Sequence, residues 1–406
     1  MTPKELEIRS QFAILYEKVY SKPLVYLDNG ATTQKPNRVL EKMQYVYEHL
    51  NSNVHRGVHY LSNQCTDLLE EARRVMARHI NAAEEAEVIF TRGTTESINL
   101  MAFSFGETFC KAGDKIIVTE MEHHSNIVPW QMLCQRKGMT LRVLPITDEG
   151  ELDIEKLDTL INEKTKLISV AHVSNVLGTV NPIKDIVAKA HSKNVPVMVD
   201  GAQSVPHMKV DVQDLDCDFL VFSGHKMYGP TGSGIFYGKR QYLDQMVPYH
   251  GGGEMIDKVS FSGTTYNVIP FKFEAGTPDY VAAIGLAEAA KFMQELGFDY
   301  IENQEHDLVQ YTLSQLQGHY GVNIIGAPKQ RSGSVSFLIN KAHPYDVGMI
   351  LDKMGVAVRT GHHCAQPLME RLGIVGTVRA SFGIYNTRED VDIFVKAVRQ
   401  ASAMLG

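Results

Sequence analysis

Three short stretches of this chain carry residue types that can do covalent chemistry. In FSGHKMYGPTG an apolar run ends at Ser223-Gly224 and delivers His225 and Lys226 to a glycine-rich loop. An amine presented there can form an imine with an aldehyde cofactor. In VPVMVDGAQ a second apolar run ends at Asp200, with Gln203 three residues on. A carboxylate buried beside a pyridine nitrogen keeps that nitrogen protonated, so the ring can draw electrons from a bound substrate. In RTGHHCAQP, Cys364 comes after two histidines, with Gly361 permitting a sharp turn and Pro367 limiting its continuation. A thiol acts as a nucleophile through its thiolate, which His362, His363 or Arg359 would favour if they faced it. Each stretch alone has an ordinary explanation: a solvated lysine, an aspartate capping a turn, a buried cysteine.

Other motifs supply the partners such chemistry needs. TRGTTES places Thr94 and Thr95 at an expected helix start, where unpaired N–H groups favour an anion such as phosphate. Ser223 and His225 could add donors, although a threonine pair there also serves as a plain N-cap. MEHHSN offers His123, whose imidazole could cover a flat cofactor face and relay a proton. HVSNVLGT offers Asn175 as a polar contact to a ring oxygen.

The elements that must position these residues emerge from the apolar pattern. Near-continuous apolar runs at 87–90, 115–120, 141–146, 166–173, 195–200 and 219–224 predict strands covered on both faces, as in a mainly parallel α/β sheet. Functional groups in such sheets gather beyond the carboxyl ends of the strands. Helices are expected after Thr94 and Thr95 and from Pro182. Near Pro278 the texture changes to helices over 281–296 and 300–316. Strands at 334–340, 356–361 and 378–386 and a last helix over 388–405 complete the chain. We expect an N-terminal segment (1–20) packing with the small domain, a large cofactor-binding domain (21–280), and a smaller C-terminal α/β domain (281–406) carrying the cysteine. Gly251 to Gly253 mark a mobile loop or tight turn.

Composition narrows the function classes. The chain has 406 residues, 44% of them hydrophobic, enough for two packed domains. Its 40 basic and 47 acidic side chains give a formal charge of -7 with no polybasic stripe, which argues against nucleic acid as a partner. Five cysteines without a CxxC pair suit a reducing compartment, and no histidine cluster has metal-ligand spacing. The first residues lack a signal-peptide core, and no apolar run reaches the roughly 20 residues that span a bilayer, so a cytoplasmic protein is expected.

Taken together and in order, LDNGATTQKP (27–36), HRGVH (55–59), TRGTTESIN (91–99), EHHSNIVPWQ (122–131), DGAQ, FSGHKMYGPTG, FEAGTP (273–278) and RTGHHCAQP (359–367) resemble one family over effectively the full length. The chain is similar to fold-type I pyridoxal-phosphate enzymes of the class V aminotransferase superfamily, and specifically to SUF-type cysteine desulfurases. The resemblance implies that Lys226 binds the cofactor and moves protons, Asp200 pairs with the pyridinium, and His123 stacks on the ring and assists sulfur release. It further implies that Asn175 and Gln203 address the ring oxygen, that Thr94, Thr95, Ser223 and His225 serve the phosphate, and that Thr277 completes the phosphate site of a neighbouring subunit in a homodimer. Arg379, with Arg359, would hold the substrate carboxylate. Cys364 would take sulfur from L-cysteine as a persulfide, leaving L-alanine, and pass it to a SufE-like or SufU-like acceptor for iron-sulfur cluster assembly. Selenocysteine lyase and aminotransferase activities use related chemistry, and a non-enzymatic assembly scaffold is the other alternative. One departure is His250 in YHGGGEMI, where an acidic residue is expected from the resemblance.

Overall fold

The computed structural model describes residues 1–319, 321–340 and 342–405. Its centre is a seven-stranded sheet: β1 (Val88–Thr91), β2 (Lys115–Thr119), β3 (Thr140–Leu144), β4 (Thr165–Ala171), β5 (Val197–Asp200), β6 (Phe219–Ser223) and β7 (Gly234–Gly238). The strand order is β1-β7-β6-β5-β4-β2-β3. Pairing is parallel from β3 through β6, while β7 runs antiparallel to both β6 and β1.

Alternation along these strands explains why the runs are apolar throughout. Ile116, Val118, Met198, Phe219, Val221 and Phe236 face one core, shared with the helices Thr94–Phe109 and Val128–Lys137. Ile117, Val197, Val199, Leu220, Phe222 and Ile235 face a second core, covered by helices that include Tyr60–His79, Ile183–His191 and Tyr280–Leu296. The interior strands bury both faces, so no polar alternation is left to read in them, while the edge strand β3 is exposed over most of its length.

A second, four-stranded antiparallel sheet contains β8 (Val322–Ile324), β9 (Ser334–Ile339), β10 (Arg359–Gly361) and β11 (Thr377–Ser381), in the order β8-β9-β11-β10. The helix Arg388–Leu405 packs on it through Val391, Phe394, Val395 and Val398, beside Phe337 and Val378. At the N-terminus Phe12 lies edge-on to Tyr228, Phe292 and Tyr385, while Arg9 pairs with Asp390 at 3.0 Å.

The structure amends three readings. VAVRTG is not one strand: Val356–Ala357 pairs in parallel with Val25–Tyr26, and only Arg359–Gly361 joins the second sheet. VRASFGIYN is extended only to Ser381, beyond which Asn386 turns the chain by accepting the Gly383 N–H. Strand β7, GIFYG, was not among the expected strands and follows directly on the glycine-rich loop. Among the described residues no helix is long and apolar enough to cross a membrane.

Candidate active site

The parallel strands deliver their last residues to one rim. Asp200 ends β5 beside Ala171 at the end of β4, Ser223 ends β6, and His123 lies four residues beyond β2. These positions open on a cavity of about 200 Å³. Thr94, Thr95, His123, Asn175, Asp200, Gln203, Ser223, His225, Lys226, Arg359, Cys364 and Arg379 all line it. The second sheet supplies the wall that carries Cys364 and both arginines. Thr277 lies elsewhere, its hydroxyl 3.4 Å from Asn53 Oδ1 on a separate surface pocket.

Lys226 owes its position to the N-terminal loop. The His225 carbonyl accepts from the Thr32 hydroxyl at 3.0 Å, the Thr33 N–H at 3.0 Å and the Lys35 amine at 3.0 Å. The Thr33 hydroxyl also receives the Tyr228 N–H at 2.8 Å. Main chain on both sides of Lys226 is thereby fixed. Burial, only partly offset by Asp200, lowers the Lys226 amine to about 8. An amine so tuned is neutral, and thus nucleophilic, in a useful fraction near physiological pH.

Asp200 is 5% exposed, and burial raises its proton affinity. One oxygen accepts the Ala202 N–H at 2.9 Å, and among the described residues no cation forms an ion pair with the carboxylate. A buried carboxylate with no cation in contact is costly, and a protonated ring nitrogen would relieve it. At the anion end, the helix Thr94–Phe109 starts from Gly93, at φ 141°, with no side-chain cap. Ser223 Oγ accepts the Thr94 N–H at 2.9 Å and lies 2.8 Å from the Thr94 hydroxyl, which draws the helix start onto the lysine strand. A Cβ at position 93 would come 3.1 Å from that Oγ. Asp200 and a hydroxyl-rich helix start, both on this cavity, match the two charged ends of pyridoxal phosphate, and His123 lines the same cavity. The donor set therefore fits that cofactor.

His123 is held by Ser125, whose N–H and hydroxyl lie 3.1 Å and 2.8 Å from Nδ1, and burial lowers the imidazole to about 3. It is a neutral ring. Beneath it Glu122 is fully buried, accepting from the Thr119 hydroxyl at 2.6 Å, the Ala171 N–H at 2.9 Å and the Asn126 amide at 2.7 Å. Burial lifts Glu122 to about 7.

On the opposite wall Arg379 is 2% exposed, donating to the Asn175 carbonyl at 2.8 Å and reaching Asp28 at 3.3 Å. Its Nε is buried without a partner among the described residues. Gln203 donates to the Gly30 carbonyl at 2.7 Å, so this amide fastens the N-terminal loop to the cavity. Arg359 is exposed and forms no ion pair among the described residues. Cys364 is half-buried, while Cys65, Cys110, Cys134 and Cys217 are all buried. Burial raises Cys110 and Cys217 to about 12, which leaves them unreactive as thiols. At the base of the Cys364 loop the two chain ends cross in contact: a Cβ at Gly376 would lie 2.7 Å from the Gly361 carbonyl group.

Residues not singled out from sequence also line the cavity. Gly30, Ala31 and Ser125 belong to motifs whose spacing gave no chemistry of their own. His363, named from sequence as a possible charge beside the thiol, is buried against Thr377, 2.8 Å from its hydroxyl, and burial lowers it to about 3. A neutral imidazole there supplies no positive charge to the thiol.

Fold and site together define an α/β enzyme of the pyridoxal-phosphate-dependent class. The family described as Aminotransferase class-V matches residues 25–394. A probable cysteine desulfurase of Halalkalibacterium halodurans is 50% identical over 400 residues, 98% of each chain. The apo structure of a cysteine desulfurase from Thermococcus onnurineus superposes with a TM-score of 0.94 at 40% identity, covering 100% of this chain and 99% of that one. The cysteine desulfurase CsdA from Escherichia coli, in an S-sulfonic acid form, gives 0.92 at 38% identity with full coverage of both. The chain belongs to the class V aminotransferase family and, within it, to the pyridoxal-phosphate-dependent cysteine desulfurases.

Proposed function

We propose that this cavity converts L-cysteine to L-alanine, with Lys226 as the cofactor lysine and Cys364 as the sulfur acceptor. The observation that carries the reading is that the depressed amine and the one half-buried thiol line the same cavity. Pyridoxal phosphate, when bound, supplies an electron sink that weakens the bonds around the substrate α-carbon.

The chain's own residues do the rest. Asp200 holds the ring nitrogen charged, and Thr94, Thr95, Ser223 and His225 hold the phosphate. His123 covers the ring, with Asn175 and Gln203 near its oxygen. Arg379, helped by Arg359, binds the substrate carboxylate through a planar fork. Lys226, once released, carries the α-proton, and the Cys364 thiolate attacks the substrate sulfur. The carbon–sulfur bond breaks with its electron pair going to carbon, a sulfur–sulfur bond forms, and a proton completes the methyl group of alanine. Cys364 is left as a persulfide, with His123 assisting sulfur release.

The SUF-type assignment belongs to the same proposal. In it a homodimer shares its active sites through Thr277, residues 21–280 bind the cofactor, and residues 281–406 bring the thiol. A cytoplasmic SufE-like or SufU-like acceptor then takes the sulfur for iron-sulfur cluster assembly. Incubating the cofactor-loaded protein with isotopically labelled cysteine tests the core of this reading. One labelled sulfur on the peptide containing Cys364, with alanine released in equal amount, is expected. Label on any other residue would overturn the assignment.

A further inference from the structure

The loop that presents the thiol is held in backbone geometry it would not choose. His363 and Cys364 both lie in the left-handed region, at φ 52° and 56°. Two consecutive residues with side chains persist there only where their surroundings impose it. The first is fixed by Asn175, whose amide donates to the His363 carbonyl at 2.7 Å, and by the Thr377 hydroxyl on its ring. The residues after the thiol need a different support. The helix Gln366–Leu372 starts from Ala365, which has no side-chain acceptor to cap it.

His124 provides that support from another element. Its backbone N–H donates to the Cys364 carbonyl at 2.7 Å, and its ring Nε2 accepts the Gln366 N–H at 3.1 Å. These two bonds bracket Ala365, immediately after the thiol. The same ring lies 5.6 Å from that of His362, whose Nδ1 accepts the Cys364 N–H at 3.1 Å. We propose that His124 is a positioning residue for sulfur transfer, an imidazole clamp that caps the helix after Cys364 and couples the thiol loop to the turn carrying His123. A ring that accepts at Nε2 carries its proton on Nδ1 and is neutral. Burial and the neighbouring His362 both push His124 below its ordinary value, towards that form.

The inference rests on Cys364 being the sulfur acceptor, so its test reads the clamp first without turnover and then with it. Amide hydrogen exchange over residues 362–368 of the full-length, cofactor-loaded protein is compared among wild type, His124→Phe and His124→Gln. Phenylalanine keeps a ring without the acceptor, whereas glutamine returns an acceptor at similar reach. In His124→Phe the Gln366 amide is expected to exchange about tenfold faster, the effect of one lost hydrogen bond. With cysteine, kcat for persulfide formation should fall while KM and the cofactor absorption band hold, and His124→Gln should restore both protection and kcat. Unchanged protection at Gln366 would overturn the clamp, as would faster exchange with wild-type kcat. If His124→Phe loses the cofactor band, His124→Ser makes the same deletion, and loss of the band in both also refutes the proposal. A failed clamp leaves the sulfur label on Cys364 in place, so the two readings fail separately.

Discussion

The Lys226 loop extends from a strand buried on both faces and is gripped at one carbonyl by donors from residues 32, 33 and 35. The Cys364 loop leaves the edge strand of the smaller sheet, holds two left-handed residues, and is kept in place by side chains of Asn175, His124 and Thr377. The first arrangement suits a group that keeps one position for the life of the enzyme. The second suits the thiol role proposed above, in which Cys364 has to be reached from outside. The Cys364 loop places two left-handed residues in a row, whereas the Lys226 loop has one, Tyr228 at φ 65°, with its ring buried against Phe12, Phe292 and Tyr385.

Separating the two loops by mutation should give the largest effects. Replacing Lys226 by Ala is expected to abolish imine absorption and lower turnover by about 10⁴-fold or more. Cys364→Ala should instead keep the cofactor band and suppress persulfide formation. If C364A desulfurated cysteine at the undiminished rate, the division of labour would be wrong. Asp200→Asn removes the buried charge while keeping the shape. It should bind cofactor yet lose about 10²-fold in kcat, because the ring nitrogen is no longer held protonated.

A pH series sharpens the description of the lysine side. The folded Lys226 amine is lowered from its ordinary 10.5 to about 8, and only the neutral form attacks an aldehyde. The rate at which cofactor-free protein takes up pyridoxal phosphate should therefore rise with pH, then level off above about 8. A rate still climbing towards 10 would mean that burial does not tune this amine. The smallest expected effect is on the cysteine side. A Cβ at Gly376 meets the Gly361 main chain, so Gly376→Ala should cost about 1–3 kcal/mol of stability in denaturant titration.

Much of this contrast was legible in the residues. Apolar runs closed by Asp200, Ser223 or the His123 motif mark strands whose ends converge, because a parallel sheet gathers its carboxyl ends on one rim. Strand β7 escaped notice because GIFYG is bounded by glycines and comes after a glycine-rich loop. Its partners, β1 and β6, are far apart in sequence. VAVRTG looks like one strand, yet Val358 separates residues that pair with two different partners, a tertiary choice that alternation does not record. The histidines beside Cys364 show the limit most clearly. Proximity suggested positive charge near the thiol, whereas the structure gives His363 a buried neutral ring and His124 a hydrogen-bonding task.

The contact between Gly361 and Gly376 has an evolutionary reading. Because the chain meets itself there without intervening side chains, residues 362 to 375 leave the sheet and return to it at one fixed stem. A replacement segment of another length, spliced at those two points, would inherit the strand register unchanged. Thiol reach and choice of recipient could then diversify as one cassette, while the electron-withdrawing half of the enzyme stayed as it was.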